Sequence, residues 1–166
     1  MRRRERGFTL VELMVVIAII ALLAAILFPN LTKSIQKGRL AAVKSTARNI
    51  YTEMSTYYAD HGSYADLIDS TNHKLVADKI GISAAWPWDK SQTIVGEAKV
   101  AYSDDQGPIV VWDADVITNQ AAKDILTEEA GYNCSDLPTD SGVTINAPAI
   151  VLDLRSTASE AVYVCK

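Results

Sequence analysis

Hydrophobic and polar positions divide the chain into three stretches. From Phe8 to Phe28 nearly every position is apolar, and the only charge in these 21 residues is Glu12. At about 1.5 Å per helical residue the run reaches roughly 30 Å, one hydrocarbon thickness. After Pro29 the pattern becomes a stripe: Val43, Ala47, Ile50, Met54 and Tyr57 recur at alternating spacings of four and three, with Lys44, Arg48 and Glu53 off the stripe. That is the period of an amphipathic helix. Gly62, with Asp60 nearby, supplies a stop signal. Together these stretches predict one helix from Phe8 to about Asp60, roughly 80 Å long at the standard rise. Pro29 removes a backbone donor and crowds the preceding turn, so a kink is expected there, and Gly38 adds a second soft point.

The third stretch alternates short strands with turns. Residues 65–93 read as a connecting region with a short helix near Leu75–Ile80. Within it, Trp86-Pro87-Trp88 is either cover for the core beside the long helix or an exposed contact surface for a neighbouring subunit or a glycan. Thr93–Tyr102 alternates weakly and Ile109–Trp112 is a β-branched run. Ser103-Asp104-Asp105-Gln106-Gly107-Pro108 lies between them with strong turn chemistry, which predicts a hairpin. Thr118–Ala130 has helical spacing, with Ala121, Ala122, Ile125 and Leu126 inward and Gly131 as the stop. Ala149–Leu154 and Ala161–Cys165 make a second strand pair. A long helix followed by an antiparallel sheet is an α+β arrangement.

Charge and composition narrow the chemistry. The chain has 16 basic and 20 acidic residues, and such an acidic balance disfavours nucleic acid as a general partner. There is no internal repeat and no low-complexity tract. The two histidines, His61 and His73, both read as loop residues, and no HExxH, GxSxG or P-loop pattern occurs, so an enzymatic reading has no catalytic constellation to rest on. The acidic pairs Asp104 and Asp105, Asp113 and Asp115, and Asp136 and Asp140 stand in turns. They read as solvated turn carboxylates; converging carbonyls would make them calcium ligands, but EF-hand spacing is absent. No cofactor and no metal is expected. Asn133-Cys134-Ser135 fits a glycosylation sequon.

The head of the chain carries the most specific signal. Arg2, Arg3, Arg4 and Arg6 precede Gly7, and the apolar run starts immediately after that glycine. A secretory signal would place its small-residue cleavage site after the apolar core. Here a cut at the glycine would leave the apolar helix on the mature protein. A lone carboxylate within that helix costs on the order of 3 kcal/mol even on mild insertion scales, so Glu12 needs a partner. Basic residues flank the run equally, with Lys33, Lys37, Arg39 and Lys44 beyond it, so only the tighter leading cluster favours a cytoplasmic N-terminus.

Gly7-Phe8-Thr9-Leu10-Val11-Glu12-Leu13 resembles the processing site of type IV pilins and of the related type II secretion pseudopilins. The resemblance is specific over residues 4–30, weakens to Tyr64, and is architectural beyond. It implies a cleaved leader over residues 1–7, cut between Gly7 and Phe8 by a membrane peptidase that also N-methylates Phe8. It further implies a transmembrane and assembly helix over residues 8–29, with a kinking proline at Pro29, an amphipathic second half over 30–61, and an α+β head over 62–166 whose antiparallel sheet packs on that second half. Loss of the leader would take the formal charge from −4 to −7. Phe8 and Glu12 become the assembly residues: the amine of one subunit neutralises the Glu12 carboxylate of another, a pairing satisfied at one axial offset. The residues alone leave open an intrachain pair between Glu12 and the Phe8 amine.

In an exported chain, two cysteines suggest one disulfide, Cys134–Cys165, of the C-terminal kind common in pilins; two free buried thiols are the alternative. The implied function is a structural pilus subunit with other pilin subunits, the processing peptidase and the inner-membrane assembly machinery as partners. Its implied location is first the inner membrane and then a surface filament. A secretion pseudopilin and a membrane-anchored binding domain that never polymerises are the alternatives. Tyr57, Tyr58 and Tyr64 near the glycine turn match the family's helix end, and ordinary core packing accounts for Tyr57.

Overall fold

The computed structural model of the chain describes residues 7–103 and 107–166. The arginine-rich head and the Asp104–Asp105 pair lie outside the described residues. The chain divides into two compact units, Met1–Ile35 and Gln36–Lys166, each considered by itself. Helix α1 spans Leu10–His61 and contributes to both.

In the first unit, α1 is apolar on all sides and none of its apolar side chains is buried; Phe8 and Phe28 are 83% and 73% exposed. Among the described residues this is the one helix long and apolar enough to cross a membrane, with a mean hydropathy of 3.1 in its most apolar window. Helical structure continues through Pro29. Two hydroxyls beyond it bond back to the helix: Thr32 Oγ1 donates to the Phe28 carbonyl at 3.2 Å and Ser34 Oγ to the Asn30 carbonyl at 3.0 Å. Such side chains satisfy their own hydrogen-bonding need inside an apolar helix by using carbonyls four residues back.

In the second unit, α1 buries Val43, Ala47, Ile50 and Met54 of the stripe expected from spacing, and Leu40 ahead of it. Tyr57 is half-buried and packs at the margin of the core. The helix ends one residue later than its pattern suggested. His61 is its last residue rather than a loop residue, with its ring stacked on Tyr57 at 4.0 Å. Gly62 then takes φ +71° and its N–H donates to the Tyr58 carbonyl at 2.7 Å, a left-handed stop that only glycine adopts without strain.

Six strands form one antiparallel sheet whose spatial order is the chain order: β1 Ile68–Asp69, β2 Lys74–Leu75, β3 Lys99–Tyr102, β4 Ile109–Trp112, β5 Ala149–Asp153 and β6 Val162–Cys165. The region read as a connection thus supplies two short edge strands, and the short helix α2 occupies Ala77–Ile80. The strand expected over Thr93–Tyr102 begins only at Lys99. Ile94 and Val95 are buried in a turn instead, where the Ile94 N–H donates to the Ala84 carbonyl and its own carbonyl accepts from Trp112 Nε1 at 2.7 Å. Helix α3 covers Gln120–Glu129 and is capped by Asn119, whose side-chain oxygen accepts from the Ala122 N–H at 3.1 Å. Ala122, Ile125 and Leu126 face inward as expected, but Ala121 is only half-buried.

Both faces of the sheet are covered. On one, Val100, Val110, Trp112, Ile150, Leu152 and Val164 pack with the α1 stripe and the inner side of α3. On the other, Ala101, Ile109, Val111, Ala149 and Val151 pack with Cys134 and Cys165 and with half-buried Leu137, Val143 and Ile145 from the segment between α3 and β5. This explains why β4 and β5 read as unbroken apolar runs rather than alternating ones. Trp86 is 2% exposed, and Trp88 Nε1 donates to Gln36 Oε1 at 3.0 Å; the Trp-Pro-Trp piece is core cover and not an open contact surface.

Candidate functional site

The chemistry expected of the head gathers in its first turn. Thr9 precedes the first helical residue, and its hydroxyl oxygen accepts from the Glu12 N–H at 3.2 Å. Glu12 reaches back: Oε2 accepts from the Thr9 N–H at 3.0 Å and from Thr9 Oγ1 at 2.9 Å. This reciprocal pattern is a capping box, in which two groups that the helix leaves unpaired satisfy each other. The spacing Thr9-x-x-Glu12 is the signature of this box, and it gives the Glu12 carboxylate a partner within its own chain besides the amine expected from the sequence. Gly7 and Phe8 stand immediately before this turn, with Phe8 exposed. Pro29 lies one hydrophobic run further along the same unit.

The carboxylates of Asp113, Asp115 and Asp136 are held by protein groups. Asp113 is fully buried; its Oδ2 accepts from Lys99 Nζ at 2.8 Å and from the Asn146 N–H at 3.1 Å. Asp115 accepts from the same ammonium at 2.7 Å and from Asn146 Nδ2 at 3.0 Å. The Lys99 hydrogen bond, followed by that of Asn146, holds the Asp115 carboxyl below its ordinary range. Burial alone would lower Lys99, but its bonds to both carboxylates outweigh this and raise it. These carboxylates bridge β3, the end of β4 and the segment before β5, a structural task that a lysine already completes. Asp136 accepts from Asn133 Nδ2 at 3.3 Å. Among the described residues, no group of three or more His, Cys, Asp or Glu side chains is placed to hold a metal ion.

The cysteines are joined. Cys134 and Cys165 form a disulfide with a Cα–Cα distance of 4.9 Å, and neither remains as a free thiol. Backbone bonds continue the clasp on both sides: the Cys134 N–H donates to the Lys166 carbonyl at 3.0 Å and the Lys166 N–H to the Tyr132 carbonyl at 2.9 Å.

Comparison with known proteins bears on the same N-terminal stretch. A family model described as the prokaryotic N-terminal methylation motif matches residues 2–28. The chain is 40% identical over 63 residues to the type IV major pilin protein PilA of Myxococcus xanthus, covering 38% of this chain and 29% of that protein. It is 40% identical over 62 residues to the type IV wide pilus major component PilA4 of Thermus thermophilus, covering 37% and 47%. It is 38% identical over 64 residues to the type II secretion system core protein G of Dickeya chrysanthemi, covering 39% and 42%. In each case the matched stretch spans less than half of the relative's length. No solved structure matches the chain. The methylation motif, the long N-terminal apolar helix, the antiparallel sheet and the C-terminal disulfide fit the α+β pilin fold. Over its N-terminal third the chain is similar both to type IV pilus subunits and to a secretion pseudopilin, proteins of the type IV pilin superfamily.

Proposed function

We propose that the chain is a structural subunit of a type IV pilus. The observation that carries this reading is a helix whose apolar side chains are all uncovered from Phe8 to Phe28, attached to a head with a complete core of its own. At about 25 cal/mol per Å² such a surface is strongly unfavourable in water and must be taken up by lipid or by like helices. In this reading a membrane peptidase cuts between Gly7 and Phe8 and methylates the new amine. Residues 1–7 are the leader, 8–29 the transmembrane and assembly helix with its kink at Pro29, 30–61 the amphipathic half, and 62–166 the head. The precursor sits in the inner membrane with its N-terminus in the cytoplasm, and the assembly machinery draws mature subunits into a surface filament. The acid of Glu12 leaves its capping box to meet the Phe8 amine of a neighbouring subunit, a trade of two hydrogen bonds for a desolvated charge pair.

Intact-mass analysis of the mature protein tests the processing step: a chain beginning at methylated Phe8 supports it, and a retained arginine leader refutes it. Immunogold electron microscopy with antibody to residues 61–166 tests assembly. Label along thin surface filaments that vanish on deletion supports a pilus subunit. Similarity to core protein G favours a second reading, a subunit of a periplasmic pseudopilus; label confined to the envelope, with processed Phe8, would select it.

A further inference from the structure

Where α1 passes α2, the second unit carries a groove of about 190 Å³. That is below the roughly 300–1,000 Å³ of small-molecule sites and suits a single long side chain. Buried Met54, Leu67 and Ile80 supply its apolar part, and exposed Glu53 and Asp60 stand on the α1 side, about two helical turns apart. Lys79 also lines the groove, with Asp66 as its own partner at 4.0 Å. Among the described residues neither Glu53 nor Asp60 takes part in an ion pair. An apolar interior beneath two uncompensated carboxylates matches a side chain with an apolar stem and a cationic tip.

The same helix presents such a side chain on its other flank. Arg48 is exposed and makes no ion pair among the described residues, while Lys44, one turn earlier, already engages Glu129 of α3. At 3.6 residues per turn, Arg48 and Glu53 stand about 140° apart around α1. Between them runs a line of small exposed residues, Gly38, Ala42, Ser45, Asn49 and Thr52, recurring at spacings of four and three. No bulky side chain on that line holds a neighbour away. The outward face of α1 thus has a cation at one edge, two carboxylates at the other and a smooth strip between. Each edge complements the opposite edge and not itself, so a contact made at one leaves the other open for a further copy. Such heterologous contacts build open arrays. Arg48 precedes the middle of the groove by about two and a half turns, which sets the partner parallel and displaced by about 13 Å along the helix. A guanidinium suits the place better than an ammonium, because it is weakly hydrated and its fork matches a carboxylate.

We infer that Arg48 of one copy docks in the Glu53–Asp60 groove of a second, parallel copy of this chain. The pairing rests on the reading of the chain as a filament subunit, and it is separate from the contact between Phe8 and Glu12. The test uses the full chain in a deletion strain. Cys134 and Cys165 are joined to each other, so thiols introduced by Arg48→Cys and Glu53→Cys are the ones free to react. Mild oxidation should turn the double variant into a ladder of covalent multimers on a non-reducing gel, and neither single variant should give one. Separately, Arg48→Glu sets a third carboxylate against the two in the groove and should cut polymer yield about tenfold. Combining it with Glu53→Arg should recover at least half of that yield, which a change that merely disturbs folding would not allow. Lys37→Glu, on the same edge but about 16 Å further back, should leave the yield unchanged. A dimer from Arg48→Cys alone would mean a two-fold pair, and cross-links to a different protein would mean another occupant. Polymer without ladder or rescue, or an equal loss in Lys37→Glu, would mean that the groove does not select Arg48. Each of these overturns the assignment and leaves the filament reading standing. Absence of polymer from the parent chain would instead remove the filament reading itself, and this contact with it.

Discussion

Removing the Cys134–Cys165 bond should selectively release one face of the sheet. The cysteines are 31 residues apart in sequence. On the chain-entropy relation a loop of that size restricts the unfolded state by about 3.7 kcal/mol at 25 °C. Both cysteines are buried with Ala149, Val151 and Leu137 in the cluster away from the helices, so serine replacements would add the cost of burying two hydroxyls. Alanine at both positions isolates the loop term. For a compact unit of this size, about 3.7 kcal/mol corresponds to a fall in Tm of roughly 10–15 °C. The assay is thermal unfolding of Cys134→Ala/Cys165→Ala followed by circular dichroism, paired with hydrogen exchange. Exchange should rise first at the Asp140 N–H, which donates to the Ala101 carbonyl at 2.7 Å, and at the Cys134 and Lys166 N–H groups. Amides of α3 and of α1 beyond Gln36 should keep their protection in the native state. A Tm within a degree or two of the parent, or equal loss of protection on both faces, would refute the claim that the disulfide acts by tying this cover to the sheet.

Three further outcomes are expected. Asp113→Ala removes one of the two carboxylates that hold Lys99, leaving Asp115 as its partner, and leaves the Asn146 and Asp115 N–H groups short of an acceptor; a loss of about 1–3 kcal/mol should appear as a lower urea midpoint, and an unchanged midpoint would contradict it. Asp115 and Asp153 both titrate below their ordinary range when folded; for Asp153, burial acts upward but the Arg155 hydrogen bonds and charge outweigh it. Depressed folded values contribute stability above the unfolded carboxylate value of about 3.9, lost as pH falls through the folded values, so the urea midpoint should hold from about pH 7 to 5 and drop below about pH 4. Gly107 has φ +141°, and a Cβ there would meet the Leu154 carbonyl carbon and Cβ at 3.1 Å; Gly107→Ala should destabilise by about 1–3 kcal/mol, measured by the same denaturation, and an unchanged midpoint would show that Leu154 yields freely.

Much of this architecture was legible because its signals are local. The Phe8–Phe28 run, the Val43-to-Met54 stripe, the Gly62 stop and the strands at Ile109–Trp112, Ala149–Asp153 and Val162–Cys165 each rest on a period or a breaker within the segment itself. The cystine was legible from cysteine number and the exported setting implied by the N-terminal motif. Other parts depend on contacts distant in sequence. Ile68–Asp69 and Lys74–Leu75 are two-residue strands that exist because Lys74 pairs with Lys99, far along the chain. Ile94 and Val95 look like strand residues, but a tryptophan from β4 claims the Ile94 carbonyl and bends the backbone into a turn. The contact between Tyr132 and Tyr163 had no motif: the two become neighbours only when β6 returns to the end of α3. The Thr9–Glu12 box is the reverse case, a four-residue signal hidden by a longer-range interpretation of its acid.

A sheet apolar on both sides loses the usual guide to its own alignment. Where one face meets water, a strand that slips by one residue exposes its apolar set; here either alignment would bury it. Side-chain size has to carry that information instead. Trp112, opposite Ile150, and Leu152, opposite Val110, need the depth beneath the helices, whereas Ala101 and Ala149 leave room for the cystine and its cover. A slipped β6 would turn Cys165 away from Cys134 and put Val164 in its place. The bond is therefore also a proofreader of strand alignment: oxidation seals the register that shape alone selects, and a mispaired head announces itself as a free thiol.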